Sequence, residues 1–261
     1  MTARRSPLLL VWTGVAGALA LLMMADLGLL DPRTLRLAVV NISIFVRELF
    51  PPSVQPLPTL LDATIETLQI AYVGTVLGFI AALPLAILAT RTIFGPRVTG
   101  PVRLLLAGIR TVPALLWAMV FVVAFGLGPA AGTIGIAAYT VGYLGKLLYE
   151  AFEGVDHEVL DAVWSVGCNR AQLTRFALLP EAANQILSQL LFVFEYNVRA
   201  SSIMGFVGAG GIGFHLVGYL QLLQYRNLFT ALLLTLAVVL SIDYLSGRLR
   251  RLVLPPAAAR A

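Results

Sequence analysis

The sequence predicts an all-α integral membrane protein, a six-span helical bundle, and three observations predict it. Of its 261 residues, 59% are hydrophobic and 12% charged, whereas soluble domains carry about 25% charged residues. The mean hydropathy is +0.90, which implies more apolar surface than a soluble core of this length can hide. The apolar residues also fall into six runs separated by stretches that hold the charges, and each run is near the roughly 20 residues that a bilayer span requires.

The first run, about Leu8 to Leu30, follows Arg4 and Arg5. It is longer than a signal-peptide core and no clear cleavage site follows, so a retained helix is expected. Residues 31–58 are more polar and proline-rich, and a short helix with one apolar face is expected from Leu35 to Phe50 at the outer surface. The second span runs from about Leu60 to Ala89. Its Gly74 and Gly78 have the spacing that lets helices approach closely, although two ordinary membrane glycines would read the same way. Pro84 should kink this span without breaking it, because neighbouring helices satisfy the freed carbonyl.

The third span is expected as one helix, about Leu104 to Phe125, and a turn from Gly126 to Gly132 leads to the fourth, Thr133 to Tyr149. The fifth covers Ile186 to Phe206. A glycine-rich connection, Gly205 to Gly218, precedes the sixth, Leu228 to Leu245, which ends at Arg248, Arg250 and Arg251. The expected organisation is an N-terminal span and outer loop over 1–58, a core over 59–252 with a cytoplasmic loop at 150–182, and a cytoplasmic tail over 253–261.

Alternating the spans from an inner N-terminus places twelve Lys and Arg residues inside and four outside (Arg33, Arg36, Arg47 and Arg226). This bias puts both termini in the cytoplasm. The remaining two, Arg110 and Arg199, fall within spans. The net charge of +5 sits at the ends of apolar runs rather than in a basic patch interleaved with aromatics, so no nucleic-acid partner is expected. The single cysteine, Cys168, excludes an intramolecular disulfide and a cysteine-based metal cluster. His157 and His215 lie far apart and read as loop residues rather than ligands.

The longest inner connection, Glu150 to Pro180, reads as a short amphipathic helix, a break at Gly167 and a second helix stopped by Pro180. Leu160, Val163, Trp164 and Gly167 share one face at helical spacing, and Asp156 is the expected N-cap. An exposed apolar face there suits a soluble partner, while a loop packed on itself fits the pattern equally. No G-x-x-x-x-G-K-[ST] occurs, so the chain has no P-loop and is not expected to hydrolyse ATP itself. Gly208, Gly210 and Gly213 satisfy G-x-G-x-x-G, but they follow a membrane span rather than a strand, with no acidic residue about 20 positions on. Together with Gly211 they instead permit a broken or re-entrant segment that shapes the outer mouth of a pathway.

Glu195 and Arg199 lie four apart in span five and share a helix face, the acid N-terminal. A charge at the bilayer centre costs about 2.5–3.5 kcal/mol on insertion scales. Two readings therefore stand. One is an ion pair that locks the bundle. The other is that Arg199, with Arg110, offers positive potential to a passing oxyanion, for which the planar guanidinium fork is suited. Asn197 adds a polar group nearby on a different face. Asp62 and Glu66 read as a solvated interface at the outer end of span two.

The Glu150–Pro180 segment resembles the EAA loop of binding-protein-dependent ABC importer permeases. Asp161-Ala162-Val163 takes the place of the Glu-Ala-Ala triplet, Gly167 that of the family glycine, and, after nine intervening residues, Ala177-Leu178-Leu179-Pro180 that of the Ile-x-Leu-Pro end. Three side chains depart from the pattern and the spacing is intact. Arg110-Thr111-Val112-Pro113 fits the same family. Phe194-Glu195-Tyr196-Asn197-Val198-Arg199-Ala200, ahead of the glycine-rich stretch, is similar to its phosphonate-importer branch. The likeness covers about residues 59–252, and residues 1–58 match less well.

The resemblance implies a bundle of the type I ABC importer permease kind in the bacterial inner membrane. It implies that Asp161, Ala162, Gly167, Leu179 and Pro180 couple to a cytoplasmic ATP-binding subunit present in two copies. A periplasmic substrate-binding protein would deliver cargo to a homodimer embedded in lipid. Arg110, Glu195, Asn197, Arg199, Gly208, Gly210 and Gly211 would line the path. The implied cargo is a phosphorus oxyanion (phosphonate, phosphate or phosphite), with a methionine-type or other small-solute permease as the alternative. No catalytic residue, cofactor or metal is implied, and the chain is not expected to be an enzyme. An ion-coupled secondary transporter should show paired acids in mid-membrane and inverted repeats, whereas only Glu195 and Asp243 qualify and no repeat is evident.

Overall fold

The structure is a computed structural model that describes residues 7–253, so Arg4, Arg5, Arg260 and the expected tail beyond Val253 lie outside the described residues. The chain separates into two compact units, divided between Pro51 and Pro52. The first holds α1 (Pro7–Asp26) and α2 (Pro32–Leu49). The 20 residues of α1 reach about 30 Å at 1.5 Å per residue. Asp31 caps α2, accepting the Arg33 N–H at 3.0 Å and the Thr34 hydroxyl at 2.9 Å. These contacts hold its carboxyl below the ordinary carboxylate range. With Pro32 in the first turn, they start α2 earlier than its apolar period suggests.

The second unit contains α3 (Leu57–Ala89), α4 (Pro96–Thr111), α5 (Ala114–Phe125), α6 (Pro129–Glu153), α7 (His157–Ser165), α8 (Arg170–Leu173), α9 (Leu179–Met204), α10 (Ile212–Gln221) and α11 (Tyr225–Val253). Each of the six expected spans has a helical counterpart. Leu57–Ala89, Arg170–Val207 and Tyr225–Leu252 are long and apolar enough to cross a bilayer. The third span, expected as one helix, is instead a pair, α4 and α5, bent by 85°. Pro113 causes the break: it has no N–H to donate, and its ring pushes the preceding residue out of the helical region. Val112 is accordingly extended, at φ −82° and ψ 118°. The Ile109 carbonyl that Pro113 leaves without a helical partner accepts the Trp117 indole N–H at 3.2 Å. Pro84, by contrast, lies within a continuous α3.

At the centre is α6, packed on α3, α4, α5 and α9. Its seam with α3 settles the reading of Gly74 and Gly78. A Cβ on Gly74 would sit 2.6 Å from Ile136, and one on Gly78 would sit 2.5 Å from Thr140. The pair is therefore a close-approach surface, the main source of helix attraction where lipid removes the hydrophobic drive between spans. Gly78→Leu is expected to lower the thermal stability of the purified protein in detergent. Overpacking costs about 1–3 kcal/mol, and here a whole side chain must fit where a methyl does not. A wild-type melting curve would show that the seam is not tight.

Among the described residues, apolar clusters pack either end of the unit. Leu144, Leu148 and Phe152 of α6 meet Leu160, Leu173, Leu178 and Val193 at one end. At the other, Ile70, Ala114, Ala118, Ile136 and Met204 pack together. Buried threonines of α3 satisfy their hydroxyls on their own helix: Thr64, Thr67 and Thr75 donate to Leu60, Ala63 and Ala71 carbonyls at 2.6–2.8 Å.

Candidate functional site

The 150–182 segment folds as two short helices held against the ends of α6 and α9. Asp156 accepts the Glu158 N–H at 2.9 Å and caps α7 as expected. Leu160 is 5% exposed and joins the cluster around Phe152 and Leu178. That anchor leaves the other side of α7 outward, with Asp161 and Ala162 exposed and Trp164 and Val166 at 48% and 82% exposure. The predicted shared face is thus divided, with Leu160 packed inward and Trp164 free. Gly167 has φ +81°, and a Cβ there would meet nothing within 4 Å. Backbone conformation, rather than crowding, asks for glycine after this helix.

Pro180 does not stop the second helix, contrary to expectation. A reciprocal capping box between Asn169 and Gln172, 2.9 Å each way, starts α8. A π-helical turn over Thr174–Leu178 follows, and Pro180 sits in the first turn of α9. The wider turn removes the steric conflict that a proline creates with the preceding turn. Leu179 is half-buried and Pro180 exposed. The consequence is one continuous rod, Arg170–Val207, from the loop into the bundle.

Arg103 braces this end of the bundle. It pairs with Glu153, donates its Nε–H to the Ala89 carbonyl at 2.8 Å, and lies over the Tyr149 ring at 4.4 Å. Glu153 also accepts the Arg91 N–H at 2.9 Å. In the sequence Arg91 and Arg103 served only to orient the chain, because their partners are distant in sequence.

The embedded charges pair differently from the sequence expectation. Glu195, 8% exposed, makes its close ion pair with Arg250 of α11. Its distance to Arg199 is 4.0 Å, whereas Arg199 reaches Asp243 at 3.3 Å. A partner on the facing helix lies across a buried interface, where attraction is less screened than along an exposed helix face. Arg199 is half-exposed. It lines a groove of about 310 Å³ with Tyr196, Ala200, Pro113 and Leu115, beside the break between α4 and α5. Arg110 stands at the end of α4, exposed, its backbone nitrogen so close to α6 that a Cβ on Gly142 would lie 2.8 Å from it. Among the described residues no carboxylate comes within ion-pair distance of Arg110.

Asn197 does not join this face. It is fully buried, and its Nδ2 donates to the Thr75 and Thr140 hydroxyls at 2.9 Å each, tying α9 to α3 and α6.

Gly208, Gly210 and Gly211 all have positive φ, from +73° to +84°, and form a strap over α3 rather than an open mouth. Glu66 accepts the Gly211 N–H at 3.0 Å, and the Thr67 hydroxyl accepts the Ile212 N–H at 2.8 Å. Glu66, read as a solvated interface residue, therefore holds the strap. The strap leads into α10, which lies inside what the sequence presented as a connection. Its glycines hid a helix of ten residues.

A family model described as "Binding-protein-dependent transport system inner membrane component" matches residues 74–255. A putative phosphite transport system permease protein, HtxC, from Stutzerimonas stutzeri is 38% identical over 211 residues, 80% of this chain and 75% of the relative. The phosphite transport system permease protein PtxC of the same organism is 37% identical over 225 residues, 86% of this chain and 82% of the relative. A phosphate-import permease protein, PhnE, from Mycolicibacterium smegmatis is 35% identical over 80% of this chain and 40% of its own length. Among solved structures, the MetNI methionine ABC transporter in an inward-facing conformation superposes with a TM-score of 0.70 at 23% identity, covering 78% of this chain and 100% of that chain. This likeness concerns the fold, that of a type I ABC importer permease. With 37–38% identity across most of each phosphite relative and a family model spanning most of the core, the chain belongs to the binding-protein-dependent transport system inner membrane components, and is a transport permease.

Proposed function

We propose that this permease moves a phosphorus oxyanion (phosphonate, phosphite or phosphate) across the inner membrane by alternating access. The observation that carries the cargo class is Arg110. It is a guanidinium at the break of a membrane helix with no carboxylate in reach among the described residues. Such a cation is costly at membrane depth and marks an ion pathway when it lacks a fixed partner. A passing oxyanion supplies the missing charge, and the planar fork binds two of its oxygens. Arg199, beside the same break, adds a second cation that Asp243 only partly neutralises. The relatives named for phosphite transport support the same cargo.

In this reading two copies of the chain enclose one path, and two copies of an ATP-binding subunit meet the 150–182 loops in the cytoplasm, where both termini lie. A periplasmic binding protein brings the cargo. Asp161, Ala162 and Gly167 form the docking surface, and Leu179 and Pro180 join it to α9. Closure of the ATPase pair on ATP draws the loops together, and the continuous rod Arg170–Val207 carries that movement to the level of Arg199. The cargo must bind the two states unequally for the cycle to run. ATP hydrolysis belongs to the partner subunit.

Arg110→Gln is expected to lower phosphite uptake about tenfold or more, as loss of a charge-assisted hydrogen-bond partner does, with normal amounts in the membrane. Unchanged uptake would remove Arg110 from the path. Substrate screening of the binding protein encoded beside this chain tests the cargo separately. Binding of an amino acid and of no phosphorus oxyanion would overturn the cargo class and leave the permease standing.

A further inference from the structure

Three tyrosines from two helices meet beside the embedded arginines, and none of them was singled out by the sequence. Tyr139 and Tyr143 are one turn apart on α6, and Tyr196 comes from α9. Their ring centroids form a closed triangle of 5.6, 5.7 and 5.8 Å, with planes within 15–26° of one another. Gly142 explains the placement. It adjoins Tyr143 and lies one turn from Tyr139, and without a side chain it lets the end of α4, with the Arg110 backbone, close onto α6 at this level. Tyr196 is 37% exposed and shares the groove with Arg199.

We infer that Tyr139, Tyr143 and Tyr196, together with Arg110, form an oxyanion site inside the permease, so that the permease itself, as well as its binding protein, reads the cargo. This rests on the phosphorus-oxyanion reading above. The chemistry is complementary. A guanidinium only donates hydrogen bonds, whereas a phenol donates to an oxyanion oxygen and also accepts from a P–OH group. The combination suits a tetrahedral phosphorus oxyanion that carries both kinds of oxygen. The groove beside the helix break is lined by Tyr196 and Arg199, and the stacked rings hold the three phenols in place at small entropic cost, because each ring has few rotatable bonds.

The test uses the full complex, permease with its ATPase and binding protein, in proteoliposomes. The binding protein is assayed first with phosphite and phosphate. Absence of binding to both overturns the cargo reading and this site with it. With binding established, Tyr143→Phe and Tyr196→Phe are each expected to lower initial phosphite uptake about tenfold, and the triple Phe variant further. Their melting temperatures should match wild type, because phenylalanine keeps the ring stack. Wild-type uptake by the triple Phe variant overturns the site while leaving the cargo reading intact. Wild-type uptake by the Phe variants with loss in Tyr143→Leu would assign the rings a packing role only, and equally overturns it.

Discussion

Arg250→Ala is expected to destabilise the bundle far more than Arg199→Ala, although Arg199 lies four residues from Glu195 in the sequence and Arg250 lies 55 away. Removing Arg250 leaves the Glu195 carboxylate buried with Arg199 at 4.0 Å as its nearest remaining cation. Loss of one partner of a buried pair costs about 3–5 kcal/mol. The lower end applies here, because the Arg250 side chain is 31% exposed. Arg199→Ala removes a half-exposed group from Asp243, itself 40% exposed, and exposed pairs contribute about 0–1 kcal/mol. The measurement is the denaturation midpoint of each purified variant in detergent. The double variant Glu195→Gln, Arg250→Met should recover most of the loss, since a neutral pair carries no orphaned charge. Equal costs for the two single variants would mean that Glu195 divides its charge evenly between them, and that α11 is not fastened to α9 as described.

Gly167→Asp should leave the protein folded and inserted yet unable to transport. The space around Gly167 is open and its φ is +81°. Aspartate is among the L residues that best tolerate that region, so the fold survives the change. What changes is the surface: a carboxylate now projects beside Asp161 and Ala162, where the ATPase subunit is proposed to dock. Uptake and binding-protein-stimulated ATP hydrolysis are both expected to fall about tenfold or more, as interface substitutions at a buried centre do. Gly167→Asn, nearly the same shape without the charge, separates backbone from electrostatics and should retain more activity. Normal transport by Gly167→Asp would show that the loop is not the coupling element.

These two positions illustrate what was legible. Gly167 stood out in sequence because a helix end that needs a left-handed residue is local chemistry, and the spacing from Asp161 to Pro180 supplied the rest. Gly74 and Gly78 were legible as a spacing but not as a contact, since nothing in the sequence says that Ile136 and Thr140 lie opposite them. Pro84 and Pro113 are both helix-embedded prolines by sequence, yet α3 runs on through one and the chain turns 85° at the other. Pro180 was misread because the π turn ahead of it leaves no compositional mark. Glu66 and Asn197 looked like a solvated acid and a pathway amide; each is a tie between elements more than a hundred residues apart.

The sequence by itself determined that the chain lives in a membrane and roughly where its helices run. Those properties depend on composition, local periodicity and motif spacing, all of which are written along the chain. Only the tertiary structure decided which charges pair, why Arg110 is left without a carboxylate among the described residues, and that three tyrosines stack beside it. In lipid the attraction between helices comes from close packing and polar contacts across interfaces rather than from apolarity. Facing residues, distant in sequence, therefore settle the partners of Glu195, Arg199 and Arg110.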